Sequence, residues 1–185
     1  MSEAPVRVAV IVGSVREGRF GPVVAGWLAG VARDHGGFDV EVVDLAEPDL
    51  PLAMPASGSA VTPRLEAADA FVVVTPEYNH SYPASLKNAI DWHRGEWAAK
   101  PVGFVSYGGI SGGLRAVEHL RAVFAELHAV TIRETVSFHG ARTRFDDDGV
   151  PTDEGAAVAA KALLDQLEWW ARSLAEARAA RPYPG

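Results

Sequence analysis

The sequence predicts an α/β fold, a five-stranded parallel sheet covered by helices on both faces. Two observations lead there. Apolar, β-branched runs alternate with helix-periodic runs along the chain. The strand-like runs are apolar at successive positions, so both of their faces must be covered, which is the pattern of a buried parallel sheet. Crossovers between such strands are right-handed.

The elements follow in order. Val6 to Val12 (VRVAVIV) is nearly all apolar and reads as the first strand. Gly21 to Gly36 has helical spacing, with Pro22 tolerated in a first turn and Gly36 as a stop. Phe38 to Leu45 alternates as a second strand, and a Pro-rich loop runs from Ala46 to Pro63. Arg64 to Asp69 is at most a short helix, Ala70 to Thr75 is the third strand, and Pro83 to Gly95 is a helix. Pro101 to Tyr107 is the fourth strand, and Ser111 to His128 is a strongly amphipathic helix. Ala129 to Phe138 holds a short fifth strand, and Ala141 to Pro151 is a polar loop. Asp153 caps a last helix reaching to about Ala180.

Five strands suit the flavodoxin-like order 2-1-3-4-5 better than the six of a dinucleotide-binding sheet. Ligands in such sheets sit at the carboxyl ends of the strands, beside the switch point. Three loops arrive there: after strands one, three and four.

Composition narrows the chemistry. A chain of 185 residues suits one domain, residues 1–185, and 48% hydrophobic content is enough for one core. A net charge of −7 argues against general nucleic-acid affinity or an anionic-membrane surface binder. The absence of cysteine excludes disulfides, thiolate metal sites and a catalytic thiol, so any redox chemistry must come from a bound cofactor. The first residues lack the charged and apolar regions of a signal peptide, and no run reaches the length of a membrane span; the expectation is a cytoplasmic protein.

The first loop, Gly13 to Gly21 (GSVREGRFG), joins a strand to a helix start, where backbone N–H groups and the helix dipole favour an anion. Ser14 offers a hydroxyl, and Arg16 and Arg19 offer forked hydrogen bonds to phosphate. A solvated turn with incidental arginines is the plainer alternative. The P-loop and dinucleotide glycine patterns are both incomplete, which leaves a single terminal phosphate as the best guest. Asp44 reads as a strand-end turn residue.

The second loop, Thr75 to Pro83 (TPEYNHSYP), is long for a connector. Pro76 and Pro83 fix its backbone, which leaves the intervening N–H groups free to point at a ligand. Tyr78 offers a flat apolar face with a polar tip, and Asn79 offers donor and acceptor together. That set suits a planar heteroaromatic ring; the alternative is a rigid loop with Tyr78 packed into the core. Trp92 and Trp97 read as packing or subunit contact.

The third loop, Ser106 to Gly113 (SYGGISGG), has four glycines that permit close approach of backbone to a ligand. Within it, Gly109-Ile110-Ser111-Gly112-Gly113 matches the hydrolase pattern G-x-S-x-G. A triad would need His119, His128 or His139, and none is well placed for it. Asp146-Asp147-Asp148-Gly149 reads as a solvated turn, and the histidines lack the pairing of a metal site.

Together GSVREGRFG, TPEYNHSYPASLKNAIDW and SYGGISGGLRAVEHLR resemble the NADPH-dependent FMN reductases, a family of flavodoxin-like flavoproteins. The resemblance runs from about Val6 to Phe138. It implies that Ser14, Arg16, Arg19, Phe20 and Gly21 surround the FMN phosphate. It implies that Pro76, Glu77, Tyr78 and Asn79 border the isoalloxazine and ribityl chain. Ser106, Tyr107, Gly108 and Gly109 would close the other side. The implied activity is ping-pong electron transfer from NADPH or NADH, through FMN, to a quinone, free flavin or similar small acceptor, with no side chain as acid–base catalyst. The implied assembly is a homodimer or homotetramer. A flavin carrier or redox-sensing protein on the same fold is the alternative, followed by a serine hydrolase using Ser111. The chain departs from the family pattern at Arg19, where many members have a small hydroxyl residue, and at Gly21, where many have Asn. The segment from Met54 to Thr62 is also shorter than usual.

Overall fold

The computed structural model describes residues 4–54 and 58–184, so part of the short Met54–Thr62 segment lies outside the described residues. The elements are β1 (Val6–Val12), α1 (Gly21–His35), β2 (Phe38–Asp44), α2 (Thr62–Ala67), β3 (Ala70–Pro76), α3 (Ala84–Trp92), β4 (Pro101–Gly108), α4 (Leu114–Glu126), β5 (Val130–His139) and α5 (Glu154–Ala180). Two short 3-10 turns, Gly95–Trp97 and Ala141–Thr143, join them and were not evident from the sequence. All five strands are parallel, in the order β2-β1-β3-β4-β5. This is the flavodoxin-like order the sequence predicts.

Local signals set the boundaries. Pro22 lies in the first turn of α1, and Gly36, at φ 80°, stops that helix while its N–H bonds the Arg33 carbonyl. Asp153 caps α5 by accepting from the Gly155 N–H at 2.8 Å. The acidic turn forms as read, with Asp146 Oδ1 accepting from the N–H groups of Asp148 and Val150.

Strand alternation divides the core into two layers. Val8, Val10, Val12, Val72, Val74 and Val105 face α1 and α5, meeting Val24, Leu28, Leu163 and Leu167. Ala9, Ile11, Phe71, Val73 and Phe104 face the other way, meeting Leu86 and Ile90 of α3 and Leu120 and Phe124 of α4. β3 is buried at every position, which is why its sequence shows no polar alternation. Trp97 resolves as packing: it is 1% exposed, stands edge-on to Phe71 at 4.6 Å and donates from Nε1 to the His93 carbonyl. Trp92 is partly exposed and ties the Pro51 carbonyl through Nε1 at 3.2 Å.

β1 pairs with β2 on one side and β3 on the other. The loops leaving β1 and β3 therefore diverge and open a crevice at the carboxyl edge of the sheet. Among the described residues no helix is long and apolar enough to cross a membrane.

Candidate functional site

A cleft of ≈ 570 Å³ occupies that crevice. The first loop lines it with residues 16–20, the second with Pro76, Glu77 and Tyr78, and the third with Tyr107, Gly108 and Gly109. A fourth wall, Gly140 to Thr143, comes from the segment after β5, where the sequence shows only a polar loop from Ala141. Ser14, Gly21, Asn79 and Ser106 are not among the walls.

Ser14 is fully buried, and its hydroxyl meets the Tyr78 hydroxyl at 2.7 Å while receiving the Arg16 N–H at 3.4 Å. It braces the first loop against the second. Arg19 lines the cleft, yet its guanidinium grips Asp44 through two bonds, 2.5 Å and 2.7 Å, and donates to the Ser14 carbonyl at 2.8 Å. Both partners are largely covered, with 19% and 14% of their side chains exposed. Arg19 thus stands at the cleft with a carboxylate already paired to its charge. Asp44 is more than a turn residue, although its Oδ1 does accept from the Ala46 N–H. Arg16 is exposed and, among the described residues, donates its side chain to no acceptor. The N–H groups of Glu17, Gly18, Phe20 and Gly21 likewise meet no acceptor among the described residues.

The second loop is a tight hairpin. Tyr78 N–H donates to Ser81 O at 2.8 Å and Ser81 N–H returns to Tyr78 O at 3.1 Å. Asn79 and His80 occupy the tip at φ 49° and 70°, the primed-turn geometry in which Asn is favoured. Asn79 is thus an exposed turn former; the N–H groups of Glu77, Tyr78 and Ser81 are used by the protein, Glu77 donating to Tyr107 O, while those of Asn79 and His80 meet no acceptor among the described residues. The signal was an Asn at the centre of a two-residue turn.

Glu77 joins the second loop to the third. Its carboxylate accepts from Ser111 Oγ at 2.5 Å, from the Arg115 backbone N–H at 3.2 Å and from Arg115 Nη1 at 2.8 Å. Burial opposes its ionisation, but the bonds from Ser111 and Arg115 outweigh this and hold its pKa below the usual carboxylate value. The side chain is 7% exposed, while Arg115 above it is 47% exposed, so the cover is one side chain thick. Glu77→Gln is expected to cost about 1–2 kcal/mol at neutral pH, since an amide cannot accept all three donors. A depressed pKa stabilises the fold above the ordinary value of 4.5 and ceases to do so as pH falls through the folded value. Denaturant titrations should show the gap between wild type and variant closing below that point; a constant gap would mean Glu77 acts through shape alone.

The same contacts dispose of the hydrolase pattern. Ser111 donates to a carboxylate, and His139 Nδ1 is engaged with the Ile110 carbonyl at 2.8 Å. His119 Nδ1 pairs with Ser81 Oγ at 3.0 Å, and His128 Nδ1 with Tyr183 Oη at 3.0 Å. No histidine is positioned as a base for Ser111 among the described residues.

Ser106 is fully buried and donates to the Gly112 carbonyl at 2.8 Å, folding the third loop back on β4. Tyr107 is 6% exposed, and its hydroxyl has no hydrogen-bond partner among the described residues. It lies against the start of α1: a Cβ on Gly21 would stand 2.9 Å from it. The departure at Gly21 therefore has a steric reason, since its bare Cα makes room for this phenol. Burial first, and then Tyr78, push the Tyr107 pKa well above 10, so the hydroxyl keeps its proton as a donor. Phe20, the residue before α1, stands edge-on to Tyr107 at 6.3 Å and to Phe145 at 5.2 Å.

Comparison with known proteins agrees with this geometry. The family model for NADPH-dependent FMN reductases matches residues 6–143. A NAD(P)H-dependent FMN reductase of Schizosaccharomyces pombe is 42% identical over 122 residues, which cover 58% of this chain and 60% of that protein. The NAD(P)H:quinone oxidoreductase of Solanum tuberosum is 34% identical over 183 residues, covering 91% of this chain and 94% of that one. Among solved structures, the flavoenzyme NAD(P)H:(acceptor) oxidoreductase FerB of Paracoccus denitrificans superposes with a TM-score of 0.73 at 26% identity, covering 91% of this chain and 98% of FerB. The chain belongs to the NADPH-dependent FMN reductase family.

Proposed function

We propose that this protein is an FMN-dependent NAD(P)H oxidoreductase that passes electrons to a quinone or similar small acceptor, and that FMN occupies the cleft between the sheet-edge loops. The observation that carries this is the Tyr107 hydroxyl: buried, without a hydrogen-bond partner among the described residues, and beside the start of α1. An orphaned buried donor costs about 1–3 kcal/mol, and a phosphate oxygen at the helix start would satisfy it. The N–H groups of Glu17, Gly18, Phe20 and Gly21 and the Arg16 guanidinium, which meet no acceptor among the described residues, would serve the same anion. Beyond that polar end, Pro76, Tyr78 and the bare backbone of Gly108 and Gly109 form walls against which a flat ring can lie. A cavity of ≈ 570 Å³ falls within the range of cofactor sites.

FMN bound there supplies two-electron chemistry between a reduced nicotinamide and an acceptor. The chain's own residues bind and orient. Arg16 and the first-loop N–H groups fix the phosphate, Ser14 and Tyr78 hold the two loops together through their hydroxyls, and Glu77 keeps the third loop closed on the second. Arg19 and Asp44 act together as a brace for the first loop. The reading extends to a cytoplasmic homodimer or homotetramer. The support for an oligomer is Leu52 and Ile110, apolar side chains 80% and 96% exposed, which a subunit contact would cover.

Steady-state kinetics with NADPH and a benzoquinone test the function. Parallel double-reciprocal lines are expected for ping-pong exchange at one open face; nicotinamide oxidation that does not respond to quinone would point to a flavin carrier. Arg16→Ala should weaken FMN binding by about 2 kcal/mol, the loss of a charged hydrogen bond. An unchanged dissociation constant would remove Arg16 from the phosphate site.

A further inference from the structure

With Arg19 locked to Asp44, the polar end of the cleft has less free positive charge than the first loop's sequence suggests. A second source stands opposite. Arg142 belongs to the 3-10 turn after β5 and lines the cleft. The turn is anchored where it starts: Gly140, at φ 63°, donates its N–H to both Gly108 O and Gly109 O, at 2.9 Å and 3.0 Å. Ala141 is 5% exposed and packs into the core beneath. From this fixed base the Arg142 side chain crosses to the first loop. Its Nη2 donates to Gly18 O at 2.8 Å, and its guanidinium lies 5.8 Å over the Phe20 ring. Gly18 and Phe20 are two of the four first-loop residues whose N–H groups meet no acceptor among the described residues.

We infer that Arg142 is a phosphate-binding residue of the cofactor site and supplies, from the segment after β5, the charge that Arg19 gives to Asp44. The inference rests on the FMN reading above. Among the described residues only one Arg142 nitrogen has an acceptor, the Gly18 carbonyl, so the rest of the guanidinium fork is available to a phosphate oxygen. The cation–π contact with Phe20 and the bond to Gly18 hold the group in place and reduce the freedom lost on binding. The consequence is selectivity: a flavin with a terminal phosphate gains from Arg142, and one without it does not.

The test titrates FMN and riboflavin separately into wild type, Arg142→Ala and Arg142→Gln, reading flavin fluorescence. Arg142→Ala should raise the FMN dissociation constant about tenfold or more and change that of riboflavin by less than about twofold. Arg142→Gln retains a donor for Gly18 without the charge, and it should behave as the alanine variant does. FMN binding restored by glutamine, or riboflavin weakened as much as FMN, would show that Arg142 only holds the Gly18 carbonyl, and would overturn the inference while leaving the cofactor reading intact. Wild type that binds neither flavin would overturn both.

Discussion

Gly113→Ala is expected to lower stability by about 3 kcal/mol, through overpacking and backbone strain together. Gly113 precedes α4 at φ 90°, in the left-handed region. A Cβ there would stand 2.6 Å from Ser106 Cβ and 2.9 Å from the Tyr107 backbone nitrogen, both parts of a buried strand that cannot retreat. The loop would have to lift, which breaks the bonds from Ser106 and Ser137 to the Gly112 carbonyl. In a chain of this size the melting temperature should fall by about 6–12 °C. Gly109→Ala is the control within the same loop: its Cβ would meet nothing within 4 Å, and stability should stay within about 0.5 kcal/mol. Equal melting temperatures for the two variants would mean that the third loop yields where it is described as fixed.

The second large effect is on pH. Lys100 is 9% exposed, and its Nζ donates to the carbonyls of Leu65 and Glu66 in the last turn of α2, above the Phe71 ring. Burial, and after it the charge of Arg178, push its pKa down to about 8. Between that value and the ordinary 10.5 the unfolded chain binds more protons than the folded one, so stability from this group rises with pH across the window. The full rise corresponds to about 3 kcal/mol. Lys100→Met removes it. Urea unfolding of both proteins should show wild type gaining on the variant as pH climbs through this window; curves that stay parallel would mean Lys100 is charged and solvated in the fold.

The sheet was legible because its physics is local. The run Phe71 to Val74 must be covered on both faces, and Pro22, Gly36 and Asp153 mark helix ends through their own backbone preferences. The location of the cleft followed from strand order. The role of each side chain did not, because roles depend on partners brought from far along the chain. Arg19 meets Asp44 only because β1 and β2 are neighbours whose ends align, Val12 beside Asp44. Arg142 reaches Gly18 only because Gly140 ties the segment after β5 to the end of β4. Neither pairing has a periodicity or a motif. Glu77 sits in the second loop's motif, but its partners come from elsewhere, Ser111 from the third loop and Arg115 from the start of α4. Asn79 could have been read better, since a central Asn between Tyr78 and Ser81 is a turn signal before it is a ligand signal.

These pairings change what the site is made of without moving it. On the proposed reading the anion end would rest on backbone N–H groups, the Tyr107 hydroxyl and two arginines from opposite sides of the cleft, while two serines and Arg19 brace the loops behind it. The central claim is that this cleft holds a flavin. Its most direct test is the visible absorption spectrum of the purified protein, mixed with FMN and passed through a desalting column. Flavin bands that travel with the protein are the result expected. A colourless protein after incubation with micromolar FMN would contradict the account at its centre.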